Sequence, residues 1–193
     1  MRVWMIHEVT EDEILSLRKL SPEENIFVWD DAVLSQYEAI LQLQDYKNIL
    51  AVSTNIATKA TEQWNTTTAI WYEPTSISHM RWHEENDARA FMTWWQIKEL
   101  SDFCEIAAHG YNHTRPIRDI KVGVMAFIEE CKKIEQDFLN RLSKKPKTYV
   151  YPYNDNLYWT DAILHKHFGW NTLGKERLDA KKYFSGQIKI AEV

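Results

Sequence analysis

The stretch NIFVWDD, residues 25–31, decides the architecture of this 193-residue chain. Residues 26–29 form a short apolar run, which has the length and character of a buried β-strand. Asp30 and Asp31 follow it directly. A run this apolar does not end in two acids without a reason, because carboxylates forced together in a pocket resist ionising both. The stretch therefore predicts a buried strand with a polar site at its carboxyl end.

Apolar strand-like runs and helix-like patterns alternate along the rest of the chain. Besides 25–29, strands are predicted at 2–6, 48–54, 103–108, 147–153, 169–174 and 186–193. Helices are predicted after Thr10 and at 32–44, 91–101, 120–142 and 160–168, whereas residues 55–90 have no regular pattern. Strands that alternate with helices predict a parallel α/β sheet or barrel, and the length fits a single domain over 1–193.

Two more strand ends carry chemistry. His109 and His113 close the run CEIAAHGYNH, four positions apart, with Gly110 allowing a close approach of the backbone. The run KTYVYPY ends at Pro152 and Tyr153. Functional groups gather at the carboxyl ends of parallel strands, so we expect these groups to meet the acid pair. One Asp and two His form a sufficient ligand set for a divalent metal, and the second Asp is then free to act as a base.

The three motifs resemble those of the polysaccharide deacetylases of the NodB-homology type. VWDDA, HGYNH and VYPYN stand in that family's order over roughly residues 25–175. The resemblance implies a distorted (β/α) barrel with mostly parallel strands. It also implies a metal-dependent carbohydrate deacetylase, which hydrolyses an acetyl group, most often N-acetyl, on a sugar or glycan.

The resemblance further implies a role for each matching residue. Zinc, or a similar divalent metal, would be bound by Asp31, His109 and His113. Asp30 would be the general base, and the backbone N–H of Tyr153 would help to hold the oxyanion. Tyr151 and Pro152 would contact the substrate.

Parts of the family pattern are missing here. Ala32 stands where the family has Gly, and Gly110 where it has Ser or Thr. The family's Arg ahead of Pro-Tyr, which orients the base, is replaced by Val150 or Tyr151. The family's carboxyl-terminal Leu-x-His, which supplies the general acid, is also absent, and His165 and His167 are interpreted as surface residues.

The proton donor is therefore open. His79 and His83 are candidates if the irregular stretch folds over the site, but we expect them to be loop residues. Proton transfer through water, or by Asp30 itself, is the other possibility.

Two other functions fit part of the pattern. A carbohydrate-binding protein on the same fold would explain the missing Arg and His. A non-haem iron oxygenase also uses two His and a carboxylate, but its usual pattern places the carboxylate two residues from the first His, and no acid stands there beside His109.

The charge and hydropathy of the sequence indicate which classes of partner to expect. The formal charge of −5 favours neither nucleic acid nor an anionic membrane. No apolar run reaches the ~18 residues of a membrane span. The amino terminus turns acidic early, unlike a signal peptide, so we expect a cytoplasmic protein whose partner is an acetylated sugar or glycan.

Overall fold

A single parallel sheet organises the computed structural model, which describes residues 1–65 and 67–187. Its seven strands run in the order β6-β5-β4-β3-β2-β1-β7, and every pair is parallel. The strands are β1 (Arg2–Ile6), β2 (Asn25–Trp29), β3 (Lys47–Val52), β4 (Glu105–Ala108), β5 (Thr148–Val150), β6 (Asn171–Leu173) and β7 (Leu178–Asp179). The sheet curls into a half-barrel with helices around it, which confirms the predicted (β/α) barrel type.

Helices connect most of the strands. They are α1 (Glu11–Leu17), α2 (Leu34–Gln42), α3 (Thr54–Gln63), α4 (Thr75–Glu85), α5 (Trp94–Leu100), α6 (Ile120–Leu142), α7 (Tyr158–Ile163) and α8 (Ala180–Phe184). The expected start of α1 is confirmed, since Thr10 and Glu13 form a reciprocal capping box. Within the described residues, no helix combines the length and apolarity needed to cross a bilayer.

One long stretch of the chain differs from the prediction. Residues 55–90 are not irregular, because most of α3 and all of α4 lie there. Helix α3 is rich in Thr, and α4 in Ser and His, and these residues favour helices weakly. Packing of Ile56 and Trp82 into the core therefore sustains the two helices. The strand predicted at 186–193 lies outside the described residues beyond position 187.

The core lies between the sheet and the long helix α6. The buried face of α6 includes Phe127, Cys131 and Phe138 at helical spacing. The neighbouring strands β2 and β3 are joined by a buried bond from Trp29 Nε1 to Asn48 Oδ1 at 2.9 Å. This packing fixes the register of the strands, and therefore the relative positions of the residues that follow them.

Candidate active site

Residues that follow β1, β2, β4 and β5 meet at one cavity. Asp30 N–H donates to the Ile6 carbonyl at 2.8 Å, which aligns the end of β2 with the end of β1. His109 N–H donates to the Val52 carbonyl at 2.9 Å, which aligns the ends of β4 and β3. The cavity has a volume of about 470 Å³, and its walls include all five residues expected to form the metal site, the base and the oxyanion site: Asp30, Asp31, His109, His113 and Tyr153.

The backbone at the end of β2 lets both acids face this cavity. Successive side chains on a strand point to opposite faces, so adjacent acids would normally separate. Asp31 (φ 81°) and Ala32 (φ 56°) are instead left-handed, and the chain turns sharply there. Ala32 occupies the position at which the family has Gly, and a left-handed non-glycine residue costs roughly 1–2 kcal/mol. The turn therefore explains the glycine of the family motif.

Asp31 and the two histidines have the geometry of a metal-ligand set. His113 Nε2 and His109 Nε2 lie 3.1 and 3.3 Å from Asp31 Oδ1. Ligands bound to zinc at about 2.0–2.1 Å in a tetrahedron are separated by about 3.3 Å. The ligand atoms of all three residues lie within 4.8 Å of one another, and the residues are buried. The donor set therefore fits a divalent ion.

Hydrogen bonding and burial act on each of these groups. Burial opposes protonation of His109, but the carboxylates of Asp31 and Asp30 outweigh it and raise the pKa of that ring. His109 Nδ1–H donates to the Val150 carbonyl at 2.8 Å, so its Nε2 carries the lone pair in the neutral ring. Burial lowers the pKa of His113 to about 4 and keeps that ring neutral. Burial opposes ionisation of Asp31, but the facing histidines outweigh it and hold the pKa of Asp31 well below its usual value.

Arg177, which the sequence motifs do not include, holds the other acid. It lies between β6 and β7, and its Nη1 donates to Asp30 Oδ1 at 2.5 Å. Its Nη2 donates to Asn154 Oδ1 at 2.7 Å and its Nε to the Gly174 carbonyl at 3.1 Å. No Arg stands before Pro152 and Tyr153, where the family has one. The guanidinium of Arg177 instead reaches Asp30 from another part of the chain.

His79 also belongs to the site, and the expectation that it is a loop residue is wrong. His79 and His83 lie on α4, and the His79 ring is buried against the cavity. Its Nε2 is 2.9 Å from Asp31 Oδ1. Its ring stacks on His113, with centroids 3.8 Å apart and planes inclined by 12°. The HxxxH spacing on α4 was the only sequence signal for this contact.

The Pro-Tyr segment contributes differently from the expectation. The side chains of Tyr151 and Pro152 are buried, and neither residue lines the cavity. The Tyr151 hydroxyl donates to Asp161 Oδ1 on α7 at 2.8 Å. Tyr153 is left-handed (φ 56°) and 46% exposed. Its ring lies 4.6 Å from that of His113 and under the Arg115 guanidinium at 4.4 Å. Tyr153 is therefore the aromatic ring that the segment presents to the cavity.

His165 and His167 are exposed, as the sequence predicted. They lie on a π-helical turn, Leu164–Phe168, that follows α7. Neither is among the residues that line the cavity. Neither can therefore serve as the missing general acid in this arrangement.

Comparison with known proteins gives matches in structure only. No family model matches the chain, and no curated protein matches it in sequence. The deacetylase domain of BpsB from Bordetella bronchiseptica superposes with a TM-score of 0.65 at 14% identity, covering 93% of this chain and 94% of that one. IcaB from Ammonifex degensii superposes with a TM-score of 0.62 at 18% identity, covering 93% and 84%.

A third solved structure aligns with this chain over almost the full length of both chains. It is the deacetylase PplD from Streptococcus pyogenes in complex with acetate, with a TM-score of 0.61 at 13% identity over 98% of each chain. Likeness at such low identity is a likeness of fold. The chain therefore has the fold of the polysaccharide deacetylases, as the motifs in its sequence indicate.

Proposed function

We propose that this protein is a metal-dependent hydrolase that removes an acetyl group from a sugar or glycan. The acetyl group that we propose is N-linked. One observation carries the proposal: a ligand cluster at Asp31 and a separate carboxylate, Asp30, held by Arg177, line the same cavity. The fold shared with the deacetylase domain of BpsB and with PplD supports it.

The ligand set would hold zinc or a similar divalent ion through Asp31, His109 and His113. When bound, such an ion lowers the pKa of water and polarises the acetyl carbonyl. Hydrolysis of an unreactive amide requires both a more nucleophilic water and a more electrophilic carbonyl carbon.

Asp30 is the base in this proposal. Arg177 holds one of its oxygens, which keeps the carboxylate oriented and balances its charge while it accepts a proton from the attacking water. The same carboxyl group can return that proton to the leaving nitrogen as the C–N bond breaks. A single group then serves as base and acid, and no carboxyl-terminal histidine is needed.

Tyr153 serves the other side of the reaction. Its backbone N–H donates to the oxyanion of the tetrahedral intermediate, and one such donor contributes about 2.7–4 kcal/mol in comparable sites. Its half-exposed ring offers an apolar face on which a sugar can stack. This replaces Tyr151 and Pro152, whose side chains are buried, as the substrate contact that we propose.

The alternative function, a carbohydrate-binding protein, was favoured by two missing residues of the family pattern, an Arg and a carboxyl-terminal His. The missing Arg favoured it, and Arg177 now stands beside Asp30. A protein that only binds sugar has no need of a base held in this way beside a complete ligand set.

Metal content and acetate release, measured on the same preparation, test the proposal. We expect about one zinc per chain, acetate release from an N-acetylglucosamine oligomer, loss of both on chelation and recovery when zinc is returned. An O-acetylated oligosaccharide, assayed in parallel, decides which acetyl linkage is preferred. A zinc-loaded protein that binds the oligomers but releases no acetate from either would be a binding protein instead.

A further inference from the structure

We infer that His79 is a positioning residue for the metal site, which donates a hydrogen bond from Nε2–H to the ligand oxygen of Asp31 and supports the ring of His113. This inference rests on the metal site of the proposed function. It adds a residue from α4, an element that carries none of the motifs of the sequence. The supporting distances are 2.9 Å from His79 Nε2 to Asp31 Oδ1 and 3.8 Å between the ring centroids.

The geometry distinguishes His79 from a fourth ligand. Its 2.9 Å contact with Asp31 has the length of a hydrogen bond, and the orientation of its ring separates it from the two proposed ligands. The lone pairs of imidazole nitrogens lie in the ring plane. The rings of His79 and His113 are inclined by only 12° and stacked, so their lone pairs lie in nearly parallel planes that do not meet at one ion.

The pair that we assign as ligands is arranged differently. The rings of His109 and His113 are inclined by 46°, with centroids 4.9 Å apart. Their Nε2 atoms face the same carboxylate oxygen, which allows the lone pairs to meet. The three histidines that face Asp31 Oδ1 are therefore of two kinds, two that bind the ion and one that orients the carboxylate.

The surrounding structure holds His79 in this position. The first residue of α4, Thr75, donates through both N–H and Oγ1 to Glu8 in the loop after β1, and Lys181 pairs with the same carboxylate. On the ring itself, Phe91 packs at 5.4 Å between centroids. Groups next to a ligand that are fixed in this way typically change metal affinity by 10- to 100-fold when they are removed.

A second ion is the competing explanation of the same residues. His79, His83 and His113 have ring nitrogens within 4.8 Å of one another, and the Nδ1 atoms of His79 and His113 are buried without a hydrogen-bond partner. The stacked rings would have to separate before both could bind such an ion. The number of ions per chain therefore separates the two explanations.

Zinc affinity, measured on the metal-free full chain by competition with a chromophoric chelator, tests the inference without an activity assay. We expect one ion per chain and a dissociation constant 10- to 100-fold higher for His79→Leu than for the wild type. His79→Gln keeps an N–H donor and is expected to recover most of the affinity. His83→Leu, one turn away on the exposed side of α4, is the matched control and is expected to bind like the wild type.

Cobalt substitution separates a lost ligand from a lost donor. The Co²⁺ absorption bands of His79→Leu are expected to have the position and intensity of the wild-type bands. Those of His113→Ala are expected to differ in both, because a ligand is lost. The inference is overturned if His79→Leu binds zinc with the affinity of the wild type. It is also overturned if the wild type binds two zinc ions per chain and both His79→Leu and His83→Leu bind only one. A wild type that binds zinc and releases no acetate overturns only the proposed function.

Discussion

Asp30 and Asp31 are neighbours in the chain but lie in two different surroundings. The side of the cavity around Asp30 presents the buried guanidinium of Arg177. The side around Asp31 presents the imidazoles of three histidines, 79, 109 and 113, with Nε2 atoms between 2.9 and 3.3 Å from one carboxylate oxygen. The same residue type is thus prepared for two tasks by what faces it.

The difference also shows where a cation can bind. Arg177 is permanently charged, so it repels a metal ion from the Asp30 side. An imidazole in its neutral form offers a lone pair, so His109 and His113 can attract a metal ion to the Asp31 side. The left-handed backbone at Asp31 makes this separation possible, because it turns two consecutive side chains into one cavity.

Exchanging the acids for amides, one at a time, is expected to have the largest effect. Asp31→Asn should lose both zinc and acetate release, because the ligand set is broken. Asp30→Asn should keep its zinc and lose about 10²–10⁴-fold in acetate release, the usual contribution of a general base. Zinc content and kcat/KM measure the two effects. Loss of zinc in both variants would show that the acids share one task.

Arg177 tests the Asp30 side by itself. Arg177→Ala leaves a buried carboxylate without its partner, and such breaks cost about 3–5 kcal/mol of stability. Zinc affinity should change little, since Arg177 contacts neither Asp31 nor its histidines in the described structure. Urea unfolding and zinc titration measure these quantities, with Arg177→Lys as the variant that keeps the charge. If Arg177→Ala loses zinc as Asp31→Asn does, the two sides are not independent.

Gly110 tests the loop that carries the histidines of the Asp31 side. Gly110 (φ 78°) and Gly169 (φ 71°) are both left-handed, so alanine costs roughly 1–2 kcal/mol at either position. At Gly110 a Cβ would also approach Pro152 Cγ to 3.3 Å, whereas at Gly169 it meets nothing within 4 Å. Gly110→Ala should therefore be the less stable variant in urea and the only one with weaker zinc binding.

Glu130 on α6 supports the same loop and gives the smallest effect. It accepts a hydrogen bond from Tyr111 N–H at 2.9 Å, and burial raises its pKa. A raised folded pKa means that the contribution of this group to stability is complete at low pH and is lost as the pH rises through that pKa. Glu130→Gln should therefore have a higher Tm than the wild type at pH 7, and the difference should shrink toward pH 4.

A matched substitution controls for the loss of charge alone. Glu129→Gln removes an exposed carboxylate from the same turn of α6 and leaves the bond to Tyr111 intact. Its Tm profile against pH is expected to follow that of the wild type. Equal profiles for Glu130→Gln and the wild type would contradict the role of burial.

Much of the fold could be predicted because its strands are buried on both faces. A strand such as β2, with all five residues buried, is expected to be largely apolar, and its run at residues 26–29 is visible in the sequence. The helices α3 and α4 could not be read in this way. Their polar composition favours helix weakly, and the contacts that stabilise them, such as Trp82 in the core, are formed by distant parts of the chain.

The sequence by itself determined which residues are the candidate metal ligands and the candidate base, and at which edge of the sheet they meet. Asp30, Asp31, His109 and His113 directly follow predicted strands, and parallel strands place such residues side by side. Only the tertiary structure decided which groups face the two acids. Arg177 reaches Asp30 across 147 positions and His79 reaches Asp31 across 48, and no local pattern records a contact made by packing at such a separation.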